Sequence, residues 1–415
     1  MEYDTVIIGG GLAGLCCARR LNEAGRTFLI IEAADAVGGR IRTDEVDGFR
    51  LDRGFQVFST AYSEAKKVLD YPALDLRSFE PGALVRYGGR FHALTDPWRR
   101  PFRGMRSVFS PIGTLADKLR VARLRSRVLR GSVEDQFGKK ETTTLDALYS
   151  QGFTDSMVER FFRPFLGGIF LDADLQASSR MFNFVFRTFS TGDATLPAEG
   201  MEAIPRQLAS KLPPESIRLN TKAMALQDGS IRLETGEVIQ ARAVVIATEL
   251  PTACTLLGEP ITRGAQGVTC LYFAADHPPI DEPILALNGE SQGPVNNLCV
   301  PSLLAPYSPE GRHLVSATVL GVPTQDDLSL ELDVRKHLKD WFGPEVEDWQ
   351  HLRTYRIRHA LPNQIPPALL MPERPVRVND GLYVCGDHRD NASINGAMVS
   401  GRRAAEAVLE GVQAI

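Results

Sequence analysis

Residues 5–32 admit few folds. Residues 5–8 are a short apolar, β-branched run, the pattern of a strand buried on both faces. Gly9, Gly10, Gly11, Leu12, Ala13 and Gly14 follow and contain a G-x-G-x-x-G unit. Residues 12–24 then place Leu12, Leu15, Cys16, Ala18 and Leu21 at helical spacing, and Gly25 ends the run. Residues 27–31 are a second apolar strand, with Glu32 at its end. This order predicts a parallel βαβ unit that opens an α/β domain.

Each residue type has a physical task in such a unit. Gly9 allows the tight turn from strand to helix, Gly11 lets backbone approach a pyrophosphate, and Gly14 lets helix and sheet pack closely. The helix N-terminus offers free N–H groups and a positive dipole end to that anion. Glu32 can accept hydrogen bonds from both ribose hydroxyls of an adenosine, and an acid there disfavours a 2′-phosphate. The expectation is a dinucleotide site.

Residues 33–43 read Ala-Ala-Asp-Ala-Val-Gly-Gly-Arg-Ile-Arg-Thr. With Gly38-Gly39-Arg40 so soon after Glu32, the chain resembles the flavin-containing amine oxidase superfamily: monoamine oxidases, protoporphyrinogen oxidases and phytoene desaturase-like enzymes. The resemblance implies FAD, with Arg40 near the pyrophosphate and Ala33 beside the adenosine. It extends to the far end of the chain. Residues 381–387 read as a strand ending in Gly386-Asp387, whose acid would bind the ribityl chain. Residues 393–398 lead into a helix over 399–409, capped by Ser393 or Asn395, whose N-terminus would face the flavin through Asn395, Gly396 and Ala397. Between the ends, Asp52-Arg53-Gly54-Phe55-Gln56 resembles the family's approach to the flavin, and 196–201 its Pro-x-x-Gly-Met lead. Ala223 would contact adenine through backbone. Residues 231–233 and 238–239 read as a hairpin, and 243–248 as a buried strand that brings Ala247 and Thr248 to the cofactor.

The expected architecture is therefore a Rossmann-like FAD-binding domain (1–90, 196–262 and 363–415) interleaved with a mixed α+β substrate domain (91–195 and 263–362). A length of 415 residues suits this arrangement. The context of Cys385 lacks a covalent flavin attachment, so noncovalent FAD is expected. The six cysteines form no C-x-x-C pair, and no metal site is expected. Their usage fits a reducing, cytoplasmic setting. No secretory leader is expected at the N-terminus, and no apolar run approaches the ~18 residues of a membrane span.

The net charge of −4 argues against nucleic acid as a partner. It conceals residues 99–130, which carry Arg99, Arg100, Arg103, Arg106, Lys118, Arg120, Arg123, Arg125, Arg127 and Arg130 against Asp117 alone. Leu115, Leu119, Ala122, Leu124, Val128 and Leu129 interleave with them. The pattern predicts a basic amphipathic helix, either a solvated face or a patch that touches an anionic membrane beside a substrate tunnel.

Phe161, Phe162, Phe165, Phe170, Phe182, Phe184, Phe186 and Phe189 form an aromatic block that would line an apolar pocket or fill a core. Amine oxidases of the resembled family place a Lys near flavin N5 in the second half of the chain. Here the lysines after Lys222 are Lys336 and Lys339, in a stretch that reads as an exposed helix. His359 and Arg358, in a segment that would return to the flavin, and His388, after Asp387, are the catalytic candidates. The leading expectation is a phytoene desaturase-like oxidoreductase that desaturates, oxidises or isomerises a hydrophobic substrate by hydride or electron transfer at flavin N5. The alternatives are an amine oxidase releasing hydrogen peroxide and a non-catalytic FAD-binding structural or assembly protein. Oligomeric state is left open.

Overall fold

A computed structural model describes residues 2–102, 110–132, 134–227 and 229–413. Arg103 and Arg106 lie outside the described residues. The predicted βαβ unit forms as β1 (Glu2–Ile8), α1 (Leu12–Glu23) and β2 (Phe28–Ile31). Val6, Ile7 and Ile30 are fully buried, as parallel strands covered on both faces require. Ala24 closes the helix, and Gly25 follows at a φ of 68°, the left-handed conformation that glycine adopts without penalty.

These strands belong to an eight-stranded sheet. The strands Ile217–Arg218, β2, β1, Val238–Ile246 and Leu382–Val384 run parallel side by side. Residues expected as the end of a hairpin and as a separate buried strand are one strand, Val238–Ile246. It pairs with Ser230–Leu233 antiparallel near its start and with Leu382–Val384 parallel near its end. The C-terminal helix, Ile394–Gln413, starts five residues earlier than expected and packs on α1.

A seven-stranded sheet forms the second layer, in the order Gln350–Pro362, Ala265–Ala275, His313–Leu320, Val295–Cys299, Leu285–Asn288, Gly82–Tyr87 and Arg90–Thr95. Gly82–Tyr87 pairs parallel with Leu285–Asn288 here. Residues 82–87, expected in the first FAD-binding segment, are thus part of the second sheet. The helix Asp327–Phe342 covers this sheet with Leu330, Val334, Leu338 and Trp341 against Phe273 and Trp349.

Helices between 115 and 191 build a third core around Phe153, Phe162 and Phe182. Within it, Val158–Phe162 winds as a π-turn before the α-helix Arg163–Phe170, a wider turn of the kind often found beside functional sites. All six cysteines are free and buried. Among the described residues, no helix is long and apolar enough to cross a membrane. The fold is mixed α/β, with a cavity where its three layers meet.

Candidate functional site

That cavity has a volume of about 1010 Å³, at the top of the ~300–1,000 Å³ usual for ligand pockets. One end is built from the glycine turn. Gly9, at a φ of 110°, lies where a Cβ would sit 2.9 Å from the Ala247 carbonyl oxygen. The space beyond Gly11 is open, with no atom within 4 Å of where its Cβ would be. α1 has no side-chain cap at Gly11, so its first N–H groups face the cavity beside Leu12 and Ala13. A phosphate group suits this cradle.

Gly38 and Gly39 fold against the turn. The Gly38 N–H donates to the Gly10 carbonyl at 2.9 Å, and both glycines have positive φ. Glu32 accepts from the N–H groups of Gly10 and Ala34 at 2.6 and 2.8 Å. These two bonds aim the carboxylate into the cavity and leave acceptor capacity for hydroxyls. Ala33 and Ala223 line the same end, and Ala247, Thr248, Gly54 and Phe55 continue the wall.

Arg40 joins the two ends of the chain. Its guanidinium pairs with Asp387 at 2.8 Å and donates to the Ala360 carbonyl at 2.6 Å. Gly386, Asp387 and Ala397 line the cavity with it. Ser393 caps the C-terminal helix, accepting from the Gly396 N–H at 2.9 Å. The helix thus begins at the cavity wall, where its positive end suits an anionic ring system.

Four expected cofactor residues stand behind the wall. Gly10 spends its N–H on Glu32. Gly14 packs on the Gly9 carbonyl oxygen, 2.0 Å from where a Cβ would sit. Asn395 is not the cap; its side chain accepts from the Glu64 N–H at 3.0 Å. Gly396 packs on the Asn391 carbonyl. All four shape the site from behind its wall.

The other end of the cavity is apolar. Phe161, Phe165, Phe170, Phe184, Phe186 and Phe189 line it, whereas Phe162 and Phe182 are fully buried core. Phe161 and Phe165 stack at 5.3 Å, and Tyr62 stacks on Phe184 at 6.5 Å. Tyr62, Trp98 and Gln266 also line it. No motif marks these three in the sequence, because distant segments bring them to the wall.

The catalytic candidates do not meet here. Arg358 and His359 are exposed, and it is their neighbours Ile357 and Ala360 that face the cavity. Alternation along the strand Gln350–Pro362 and its bulge decide this. His388 is buried behind Asp387, both ring nitrogens without a hydrogen-bond partner among the described residues. Burial pushes its pKa down to about 4, so the ring is neutral. Lys336 and Lys339 are exposed on the helix Asp327–Phe342 and do not line the cavity.

Residues 12–409 match the family described as flavin-containing amine oxidoreductase. This chain belongs to that family. A flavin is the cofactor that membership implies, and the open pyrophosphate cradle at Gly11 fits FAD. Similar proteins include putrescine oxidase of Kocuria rosea, 43% identical over 25% of this chain and 21% of that protein. Another is the zeta-carotene-forming phytoene desaturase of Myxococcus xanthus, 25% identical over 61% of this chain and 55% of that enzyme. The chain thus spans about a fifth and about half of these two relatives. A solved structure from a redesign of cofactor binding in putrescine oxidase has a TM-score of 0.75 at 15% identity, covering 99% of both chains. That likeness concerns the fold.

Proposed function

We propose that this flavin amine oxidoreductase-family enzyme acts on a bulky hydrophobic substrate, in the manner of its phytoene desaturase-like relatives, with FAD held noncovalently. The observation that carries the reading is the continuity of one cavity from the Gly11 cradle to the phenylalanine-lined chamber. Glu32 would hold the ribose, Gly11 and the start of α1 the pyrophosphate, and Arg40 with Asp387 the linker toward the ring. FAD, when bound, supplies a two-electron acceptor at N5, so the protein need not provide its own redox group. The chain's residues supply orientation and dryness. The phenylalanines exclude water from the chamber, and Tyr62 offers a flat wall on Phe184.

Among the described residues no histidine lines the cavity. Its lysines are Lys222, paired with Glu234 at 3.1 Å, and Lys118 on the helix Leu115–Val128. The carboxylates of the chamber are already engaged: Glu80 with Arg100 at 2.9 Å, Asp96 with Arg99 at 3.8 Å, and Asp172 with the N–H groups of Asp174 and Ala177. Arg100 and Arg99 thus already occupy Glu80 and Asp96, which favours an apolar substrate over the amine oxidase alternative. Cys385 is buried and outside the cavity wall, its thiol pKa raised by burial, which supports noncovalent flavin.

Anaerobic mixing of the purified flavoprotein with isoprenoids, porphyrinogens and amines tests the reading. Bleaching of the flavin absorbance by an isoprenoid or porphyrinogen is expected. Bleaching by amines alone, with hydrogen peroxide released in air, would establish the amine oxidase. No bleaching by any of them would favour an FAD-binding assembly protein.

The basic helix adds a partner to the proposal. Leu115, Leu119, Arg123 and Arg127 form one i, i+4 stripe on the helix Leu115–Val128. Leu115 and Leu119 are 63% and 64% exposed, and nearby in sequence Phe102 is 88% exposed. The expected apolar face is split: only Leu124 and Val128 of it are buried inward. Outward leucines beside arginines suit an anionic bilayer surface.

A further inference from the structure

The helix Leu115–Val128 shows a second face to the cavity. Lys118, Val121 and Arg125, at i, i+3 and i+7, all line it. Trp98 lines the same region while remaining 47% exposed, which marks this as the rim of the chamber. The Arg125 guanidinium lies 4.8 Å from the Trp98 ring centroid and donates to the Ser190 carbonyl at 3.2 Å. Among the described residues it pairs with no carboxylate, and its buried Nε has no acceptor. Lys118 donates to the Ser110 carbonyl at 3.1 Å.

A guanidinium held by stacking and one carbonyl is fixed in direction yet keeps N–H groups to give. A buried donor without an acceptor is costly unless a ligand completes it. Among the described residues none of the chamber carboxylates does so: Glu80 and Asp96 pair with Arg100 and Arg99, and Asp172 accepts from the N–H groups of Asp174 and Ala177. Carboxylate is the group whose geometry matches an arginine fork, and an ammonium two turns away adds charge.

We propose that Arg125, supported by Lys118, binds a carboxylate on the substrate, so that the substrate is an apolar body with an acidic end held at the rim. The inference rests on the reading of the phenylalanine-lined chamber as the substrate site. It separates the possible substrates by chemistry: a plain hydrocarbon leaves Arg125 unanswered, an amine is repelled, and a carboxylate-bearing apolar molecule satisfies both ends.

The test uses the purified flavoprotein, with binding of dodecanoate, dodecanol and dodecylamine followed by perturbation of the flavin spectrum and of tryptophan fluorescence. Dodecanoate is expected to bind about tenfold or more tighter than dodecanol, with dodecylamine weakest. Arg125→Gln should remove that preference while leaving dodecanol affinity unchanged, and Arg125→Lys should restore part of it. Flavin content and thermal midpoint show that each variant is folded. Equal affinity for the acid and the alcohol in the unsubstituted protein overturns the carboxylate site and leaves the chamber standing. An undiminished preference in Arg125→Gln overturns it as well. Failure of all three probes to bind overturns the chamber and the carboxylate site together.

Discussion

Asp52 shows how a single buried group sets the conditions under which this fold is stable. Its carboxylate accepts from the Thr43 hydroxyl at 2.5 Å, the Met201 N–H at 2.9 Å and the Tyr307 hydroxyl at 3.0 Å. Burial nevertheless outweighs those bonds and raises its pKa to about 6. The folded protein thus holds this proton more tightly than the unfolded chain, whose aspartates titrate near ~3.9. Stability is fully present below that value and is lost as pH rises through about 6, by roughly 2–3 kcal/mol at most. Asp52→Asn keeps an acceptor for Met201 and removes the titration. Thermal midpoints of the two proteins should therefore diverge between pH 4 and 7, with the wild type falling; parallel profiles would refute this. In the proposed FAD site, Glu32 acts on ligand rather than stability. Glu32→Ala should lower flavin retention about tenfold or more, since each charge-assisted hydrogen bond contributes about 1.5–3 kcal/mol. Undiminished flavin content in the purified variant would remove Glu32 from the cofactor site.

Among the elements, the pair formed by α1 and the C-terminal helix holds the two ends of the chain at the cavity. A Cβ on Gly401 would lie 2.0 Å from the Ala13 carbonyl oxygen, so glycine sets how closely the helices approach. Helix propensity favours alanine over glycine by about 0.5–1 kcal/mol. Overpacking against backbone costs about 1–3 kcal/mol, so the clash wins. Gly401→Ala should lower the thermal midpoint and the flavin content together. A raised midpoint would show that the helices separate without cost. The G-x-G-x-x-G turn and this helix were both legible in the sequence, because each is a local pattern of glycines and apolar spacing. The extra turn of the helix was less so, since its start at Ile394 depends on Ser393 meeting Gly396. The strand Gln350–Pro362 was harder still. A bulge decides which of its residues face the cavity, and so His359 and Arg358 emerge on the outside.

For the whole molecule, the charge of the chain is unevenly placed. Residues 99–130 carry +9 while the remainder carries −13. The helix at the chamber rim lies in this segment and exposes Leu115 and Leu119. Sedimentation with anionic liposomes at low ionic strength is expected to carry the protein down, and neutral liposomes or high salt to release it. Leu119→Glu should weaken the association without altering flavin content. Indifference to anionic liposomes at low salt would remove the membrane from the proposal. The pairing of segments far apart in the chain also belongs to this scale. The strand Gly82–Tyr87 joins the second sheet because its partner, Leu285–Asn288, comes from some two hundred residues later.

By itself, the sequence determined the βαβ unit, the glycine cradle, Glu32 and the Arg40 motif, because strand, turn and helix signals act over a few residues. It also determined that the second half of the chain contains Lys336 and Lys339 on an exposed helix. Tertiary structure alone decided which phenylalanines form the chamber and which fill a core, which face of a bulged strand meets the cavity, and that Arg125 stands at the rim without a carboxylate partner. Those outcomes depend on contacts between segments far apart in the chain, and no local periodicity encodes them.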